Sequence, residues 1–153
     1  MLINTWHFSF TVSDIEQSIR FYRDVLGMEL VHTQEQANAY TRKLVGYEDA
    51  HLKVAQLRIK AGPPSRSGHM LELVEYVAPR GEKVDTRTKN TGTAHLAFEV
   101  DDIHAEYERM AGLGVRFRSE PVAIEAGINK GGFTCYFLDP DDITLEIIQP
   151  PAR

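Results

Sequence analysis

A nine-residue stretch of this chain occurs twice. Residues 7–15 read HFSFTVSDI and residues 95–103 read HLAFEVDDI, so five of nine positions are identical at an offset of 88 residues. In each copy, apolar residues alternate with small or polar ones, which is the pattern of a β-strand with one buried face. The repeat therefore predicts two related halves, each opening on a strand whose polar face carries a histidine, His7 or His95.

An aspartate follows each predicted strand where a helix should begin. Asp14 and Asp102 precede segments with apolar residues at helical spacing, and aspartate is a favoured N-cap residue. The predicted helices span 14–26 and 102–113, and a glycine directly after each one predicts its end. The apolar stripe of the second helix is expected to include Leu113.

The remaining segments follow the same order in both halves. Six further strands are predicted, at 28–33, 53–60, 69–76, 115–119, 133–138 and 143–149. The segment 37–47 is predicted to form a short helix or an irregular cap. The polar, basic segment 77–92 predicts a linker, so we expect a single domain made of two β-α-β-β-β modules, at about 1–76 and 93–150.

Composition limits the cellular compartment in which the chain is expected and the classes of partner that it is expected to bind. A net charge of −5 over 153 residues gives no basic surface, which argues against nucleic acid and anionic membranes as partners. The single cysteine, Cys135, cannot form an internal disulfide and is predicted to be an unreactive core residue between aromatic neighbours. No pattern of a signal peptide or membrane span is present, so a cytoplasmic protein is expected.

The last strand of each half carries a glutamate between aliphatic residues. Glu72 in MLELV and Glu146 in TLEII occupy matching places, and an isolated charge among apolar residues is costly. Each glutamate or histidine taken singly also fits a solvated or hydrogen-bonded position. If the halves curl into one sheet, four residues would form an N2O2 cluster suited to one Zn, Ni, Co, Mn or Fe ion per chain: His7, Glu72, His95 and Glu146. The other four histidines have no repeat partner and are assigned no role.

Together these features resemble the vicinal oxygen chelate superfamily, which includes glyoxalase I, methylmalonyl-CoA epimerase, extradiol dioxygenases and fosfomycin and bleomycin resistance proteins. The resemblance rests on the paired modules, the repeated H-x6-D-I, SIRFYRDVLGM in the first helix and FLDPDDITLEII near the end. It implies an α+β fold in which the two modules form a cup-shaped mixed sheet around a divalent metal. It also implies a homodimer, and the four residues named above match the metal positions of glyoxalase I.

Three positions depart from the glutathione-binding pattern of bacterial glyoxalase I. That pattern has arginine four residues after the first ligand and asparagine four after the second, whereas this chain has Thr11 and Tyr76. Thr91 stands four residues before the second histidine, where a basic residue is common. Methylmalonyl-CoA epimerases in turn usually have glutamine where this chain has Glu72. Because these positions differ from the glutathione-binding pattern, we expect little turnover of the glutathione–methylglyoxal hemithioacetal.

The ligand set favours an enzyme that moves a proton next to the carbonyl of a small metabolite or acyl thioester. A metal on the carbonyl oxygen lowers the pKa of the adjacent C–H, and a nearby carboxylate can then carry the proton. Glu146 and Glu72 are the predicted catalytic bases of an isomerase, epimerase or lyase. One alternative is an extradiol-type ring-cleaving dioxygenase, and another is a non-catalytic binding or resistance protein.

Overall fold

Hydrogen bonds between strands define two sheets, one in each of two units of the chain. The computed structural model describes residues 1–152. The first unit runs from Met1 to Lys83 and the second begins at Val84, so the boundary falls inside the segment 77–92. No helix among residues 1–152 is long and apolar enough to cross a membrane.

The first unit holds a four-stranded mixed sheet. Its elements are β1 (Phe8–Thr11), α1 (Ile15–Arg20), β2 (Glu29–Gln36), α2 (Ala39–Val45), β3 (His51–Arg58) and β4 (Leu71–Ala78). A π-helical turn, Phe21–Val25, continues α1 where the sequence predicted an unbroken α-helix. The strand order is β1-β4-β3-β2, and only the β1–β4 pair is parallel.

The second unit repeats this arrangement in a five-stranded sheet. Its elements are β5 (Leu96–Glu99), α3 (Ile103–Gly112), β6 (Arg116–Phe117), β7 (Val122–Ala123), β8 (Phe133–Leu138) and β9 (Thr144–Gln149). The order is β5-β9-β8-β6, with the short strand β7 also pairing with β8, and again one pair, β5–β9, is parallel. The predicted fold class, α+β with two β-α-β-β-β modules, is confirmed.

The repeat extends to the register of the two parallel strand pairs. Ser9 on β1 lies opposite Glu72 on β4, and Ala97 on β5 lies opposite Glu146 on β9. The residues on either side of each glutamate are buried, whereas the glutamates are only partly covered. Both glutamates therefore point away from the apolar core of their own unit, on the face to which the neighbouring histidine also belongs.

Each unit has an apolar core between its first helix and its sheet. Fully buried large side chains of the first unit are Tyr22, Leu57, Leu71 and Leu73, and those of the second are Ile103, Met110, Phe137 and Leu145. The strand residues of this set lie on the faces opposite the glutamates, so we expect changes on the polar face to leave the cores intact.

Both predicted N-caps are confirmed. Asp14 has extended backbone dihedrals, and its carboxylate accepts the backbone N–H of Gln17 at 2.9 Å. Asp102 does the same for the N–H groups of His104 and Ala105, at 3.1 and 3.0 Å. These bonds satisfy helix N–H groups that have no partner within the helix.

The helical segments also stop before the predicted glycines, which adopt the left-handed conformation. The φ angle is 71° at Gly27 and 84° at Gly114. The prediction that Leu113 faces the core is wrong, because its side chain is 57% exposed. Helix α3 ends at Gly112. Leu113 has φ of −87° and ψ of 3°, which is outside the helical conformation, so the helical spacing of apolar residues no longer predicts where its side chain points.

Most strand boundaries differ from the sequence prediction by one to three residues, and the short strand β7 is absent from that prediction. Strand β4 begins at Leu71 rather than at His69, and the His69 carbonyl instead accepts a hydrogen bond from a serine of the preceding turn. Strands β1 and β5 begin directly after His7 and His95, so these histidines stand at strand entrances rather than in mid-strand. The first residues of the predicted linker, Val77 and Ala78, belong to β4.

Candidate metal centre

The first predicted pair of ligands lies together in the first unit. Parallel pairing of β1 with β4 brings His7 Nε2 to 3.8 Å from Oε1 of Glu72, with the two side chains 30% and 18% exposed. The other carboxylate oxygen, Oε2, accepts a hydrogen bond of 3.1 Å from the side-chain amide of Gln56 on β3. One oxygen of Glu72 is thus held by the sheet, and the other faces the imidazole.

The second pair has the same arrangement in the second unit. His95 Nε2 lies 3.0 Å from Oε2 of Glu146, and the side chains are 41% and 13% exposed. The hydroxyl of Thr134, on β8, donates to Oε1 of Glu146 at 2.5 Å. The ring of Tyr136, directly across from Glu146 on β8, lies 5.2 Å from the His95 ring. A neighbouring strand again fixes one carboxylate oxygen.

The donor atoms of each pair suit a divalent metal. Imidazole nitrogen with carboxylate oxygen is the set preferred by borderline ions such as Zn, Ni, Co, Mn and Fe. Two ligand atoms at about 2 Å from one ion are about 3 Å apart. The separation of 3.0 Å in the second pair matches that value, and the separation of 3.8 Å in the first pair is wider. Each unit therefore holds one imidazole and one carboxylate whose donor atoms suit a divalent metal.

A third histidine, to which the sequence assigned no role, lies beside the first pair. His69 is 3% exposed, and its Nε2 is 3.2 Å from Nδ1 of His7 and 3.9 Å from Oε2 of Glu72. One possible ligand atom from each of the three residues lies within 4.8 Å of the others. The repeat could not reveal His69, because Ile143 occupies the corresponding place before Glu146.

The charge of Glu146 acts on two neighbouring side chains. Burial, with a smaller contribution from Glu146, raises the pKa of the Tyr136 phenol. The same two causes raise the pKa of the Cys135 thiol to about 11. Cys135 is 2% exposed and has no disulfide, so the prediction of a core residue is confirmed.

The positions that differ from the glutathione-binding pattern are accessible. Thr11 and Thr91 are exposed, and Tyr76 is partly buried. The Tyr76 ring packs edge-on against Tyr47, with ring centroids 6.1 Å apart. The first unit thus offers a hydroxyl and an aromatic pair where the glutathione-binding pattern has arginine and asparagine.

Comparison with known proteins gives relatives over nearly the whole chain. The model of the Glyoxalase/Bleomycin resistance protein/Dioxygenase superfamily matches residues 6–147. The chain is similar to a 2-epi-5-epi-valiolone epimerase of an Actinomyces species, with 37% identity over 95% of this chain and 79% of the relative. It is similar to the lactoylglutathione lyase of Haemophilus influenzae, with 34% identity over 94% of this chain and 90% of the relative.

A solved structure supports the same fold. A glyoxalase family protein from Bacillus cereus superposes with a TM-score of 0.77 over 99% of this chain and 97% of its own, at 18% identity. The repeated modules, the two histidine–glutamate pairs and these matches agree. The chain therefore belongs to the glyoxalase/bleomycin resistance protein/dioxygenase superfamily.

Proposed function

We propose that this protein is a metal-dependent epimerase that moves a proton at the carbon next to a ketone in a small metabolite. One divalent ion per chain is held by His7, Glu72, His95 and Glu146, and the active protein is a cytoplasmic homodimer. The proposal rests mainly on the two matching histidine–glutamate contacts, at 3.8 Å and 3.0 Å. In each pair, the carboxylate oxygen that does not face the histidine accepts a hydrogen bond from a side chain on a neighbouring strand.

The carboxylates supply the proton chemistry. A divalent metal, when bound, draws electron density from a substrate carbonyl and so lowers the pKa of the adjacent C–H. Glu146, released from its ligand role when substrate binds, takes this proton at Oε2, the oxygen that accepts no hydrogen bond from Thr134. Inversion of the carbon requires a proton to return to the opposite face, and Glu72, the matching carboxylate of the other module, is assigned that role.

Two observations favour a ketone over a glutathione adduct. The relative with 37% identity is an epimerase whose substrate name, valiolone, denotes a ketone. The positions of the glutathione-binding pattern hold Thr11, Tyr76 and Thr91 rather than arginine, asparagine and a basic residue. Without those groups the carboxylates of glutathione have no cationic partner at these positions, so the specific contacts for that cofactor are lost.

The test is solvent deuterium incorporation by the metal-loaded protein. 2-Epi-5-epi-valiolone, an acyl-CoA thioester with a stereocentre next to its carbonyl, and the glutathione–methylglyoxal hemithioacetal are each incubated in D2O. We expect epimerised ketone with deuterium at the inverted carbon, and a loss of more than about 100-fold in Glu146→Gln. The exposed Glu108→Gln on α3 is the matched control and should keep full activity.

Other outcomes point to the other reaction classes. Deuterium incorporation that survives Glu146→Gln removes this residue from the role of base. Efficient turnover of the hemithioacetal contradicts the substrate argument and indicates a lactoylglutathione lyase. Oxygen consumption with a catechol indicates a ring-cleaving dioxygenase, and tight ligand binding without turnover indicates a binding or resistance protein.

A further inference from the structure

His69 is a buried polar side chain beside the candidate site. Its side chain is 4% exposed, and its ring lies 5.1 Å from the ring of His7 with an interplanar angle of 31°. Nδ1 of His69 lies 3.2 Å from the backbone carbonyl of Ser67, and Nε2 lies 3.2 Å from Nδ1 of His7. Both ring nitrogens therefore have a partner at hydrogen-bond distance.

The Ser67 carbonyl determines which nitrogen donates in each hydrogen bond of His69 and His7. A carbonyl oxygen only accepts, so Nδ1 of His69 carries the hydrogen and donates to Ser67. A neutral imidazole then has a lone pair on Nε2, which accepts from Nδ1–H of His7. His7 in turn carries its lone pair on Nε2, the nitrogen that lies 3.8 Å from Oε1 of Glu72.

The turn before β4 holds His69 in this place. The hydroxyl of Ser65 donates to the His69 carbonyl at 2.8 Å. The hydroxyl of Ser67 lies 2.5 Å from the His69 carbonyl and 2.8 Å from the carbonyl of Trp6, the residue before His7, so its one hydrogen has two acceptors within reach. These contacts place the turn beside the chain at His7.

We propose that His69 is a positioning residue that selects the tautomer of His7 and aims its Nε2 lone pair at the metal. The inference rests on the proposed metal site. Histidine ligands of metals almost always donate their second ring N–H to a fixed acceptor, and loss of that acceptor weakens metal binding by about 10- to 100-fold. Here the acceptor is another imidazole, and the second unit has no equivalent because Ile143 occupies the matching position.

The tautomer of His7 can be measured without metal. Nitrogen-15 chemical shifts of the histidine rings are recorded on the metal-free protein at about pH 8, where imidazoles are ordinarily neutral. We expect His7 to carry its hydrogen on Nδ1 in the wild type and in His69→Gln, whose side-chain carbonyl also accepts. His69→Leu should lose this preference, and the exposed His32→Leu should keep it. A wild-type His7 with its hydrogen on Nε2 overturns the proposal, whether or not the leucine variant folds.

Metal affinity and ligand count separate positioning from direct ligation. By chelator competition we expect His69→Leu to bind the ion about 10- to 100-fold more weakly and His69→Gln to stay within a few-fold of the wild type. X-ray absorption should count the same number of imidazole ligands in all three. One imidazole fewer in both variants would make His69 a ligand and overturn the positioning role. A wild type that binds no metal defeats the proposed function, whereas the tautomer measurement still decides the role of His69.

Discussion

The hydroxyl of Thr134 donates a 2.5 Å hydrogen bond to Oε1 of Glu146 across strands β8 and β9. This bond leaves Oε2 as the oxygen that faces His95, at 3.0 Å. Gln56 plays the same part for Glu72 at 3.1 Å, so both modules orient their carboxylate from the adjacent strand. Orientation of this kind is ordinarily needed to present a fixed ligand atom to a metal.

We expect Thr134→Val to weaken divalent-metal binding by about 10-fold or more, because the nearly isosteric side chain cannot hold Oε1 of Glu146. Chelator competition measures the affinity, and circular dichroism checks that the fold is kept. Thr134→Ser retains the hydroxyl and should bind nearly as well as the wild type. Equal affinity for valine and serine would mean that this hydrogen bond does not position Glu146.

A second repeat-related contact joins each first helix to the last strand of its module. Oε2 of Glu75 accepts the backbone N–H of Ile15, and Oε1 of Gln149 accepts the backbone N–H of Ile103, both at 2.9 Å. Glu75 is only 7% exposed, so its loss leaves a buried N–H unsatisfied. We expect Glu75→Leu to lower the free energy of unfolding by about 1–3 kcal/mol.

The second module supplies the control for that experiment. Glu75→Gln installs the side chain that Gln149 uses at the matching place, so it should cost less than about 1 kcal/mol. Urea unfolding followed by circular dichroism measures both variants. If leucine and glutamine are equally tolerated, the contact contributes nothing to the attachment of α1.

The raised pKa of Cys135 predicts slow alkylation of the folded protein. Because the thiol pKa is about 11 rather than its ordinary 9.0, the thiolate fraction at pH 8 is about 100-fold smaller in the folded chain than in the unfolded one. Burial slows the reaction further, and raising the pH toward 11 should speed it. Iodoacetamide labelling with and without urea measures the ratio, and equal rates would contradict the buried position.

The homodimer is predicted from the sheet edges and from exposed apolar side chains. Strand β1 pairs only with β4, and β5 only with β9, among the described residues, so each stands at an edge that association commonly covers. Trp6, directly before the first histidine, is 57% exposed. Sedimentation equilibrium should give the mass of two chains, and a monomer at high micromolar concentration would contradict the prediction.

The repeat made much of the fold predictable. Alternation identified β1 and β5, and the aspartate and glycine signals placed α3 at 102–113 against an observed Ile103–Gly112. Strand β8 was predicted at its observed bounds, Phe133–Leu138. The π-helical turn Phe21–Val25 could not be predicted, because five residues are too few for periodicity to separate a π-helix from an α-helix.

The site was only partly predictable for a related reason. Matching positions in the two halves pointed to the histidine–glutamate pairs, and each pair is in contact within its own unit. His69 has no matching partner, and its place depends on the turn held by Ser65 and Ser67. Such side-chain bonds in an irregular segment leave no period in the sequence.

Metal content tests the central claim most directly. Four purified proteins are loaded with a divalent ion and freed of excess metal: the wild type, His7→Ala, His95→Ala and the control Glu108→Gln. Inductively coupled plasma mass spectrometry then measures the metal content of each protein. We predict one ion per chain in the wild type and the control, and loss of the ion from both histidine variants while circular dichroism stays unchanged. A folded wild type that holds no ion, or alanine variants that keep it, would contradict the four-residue metal site.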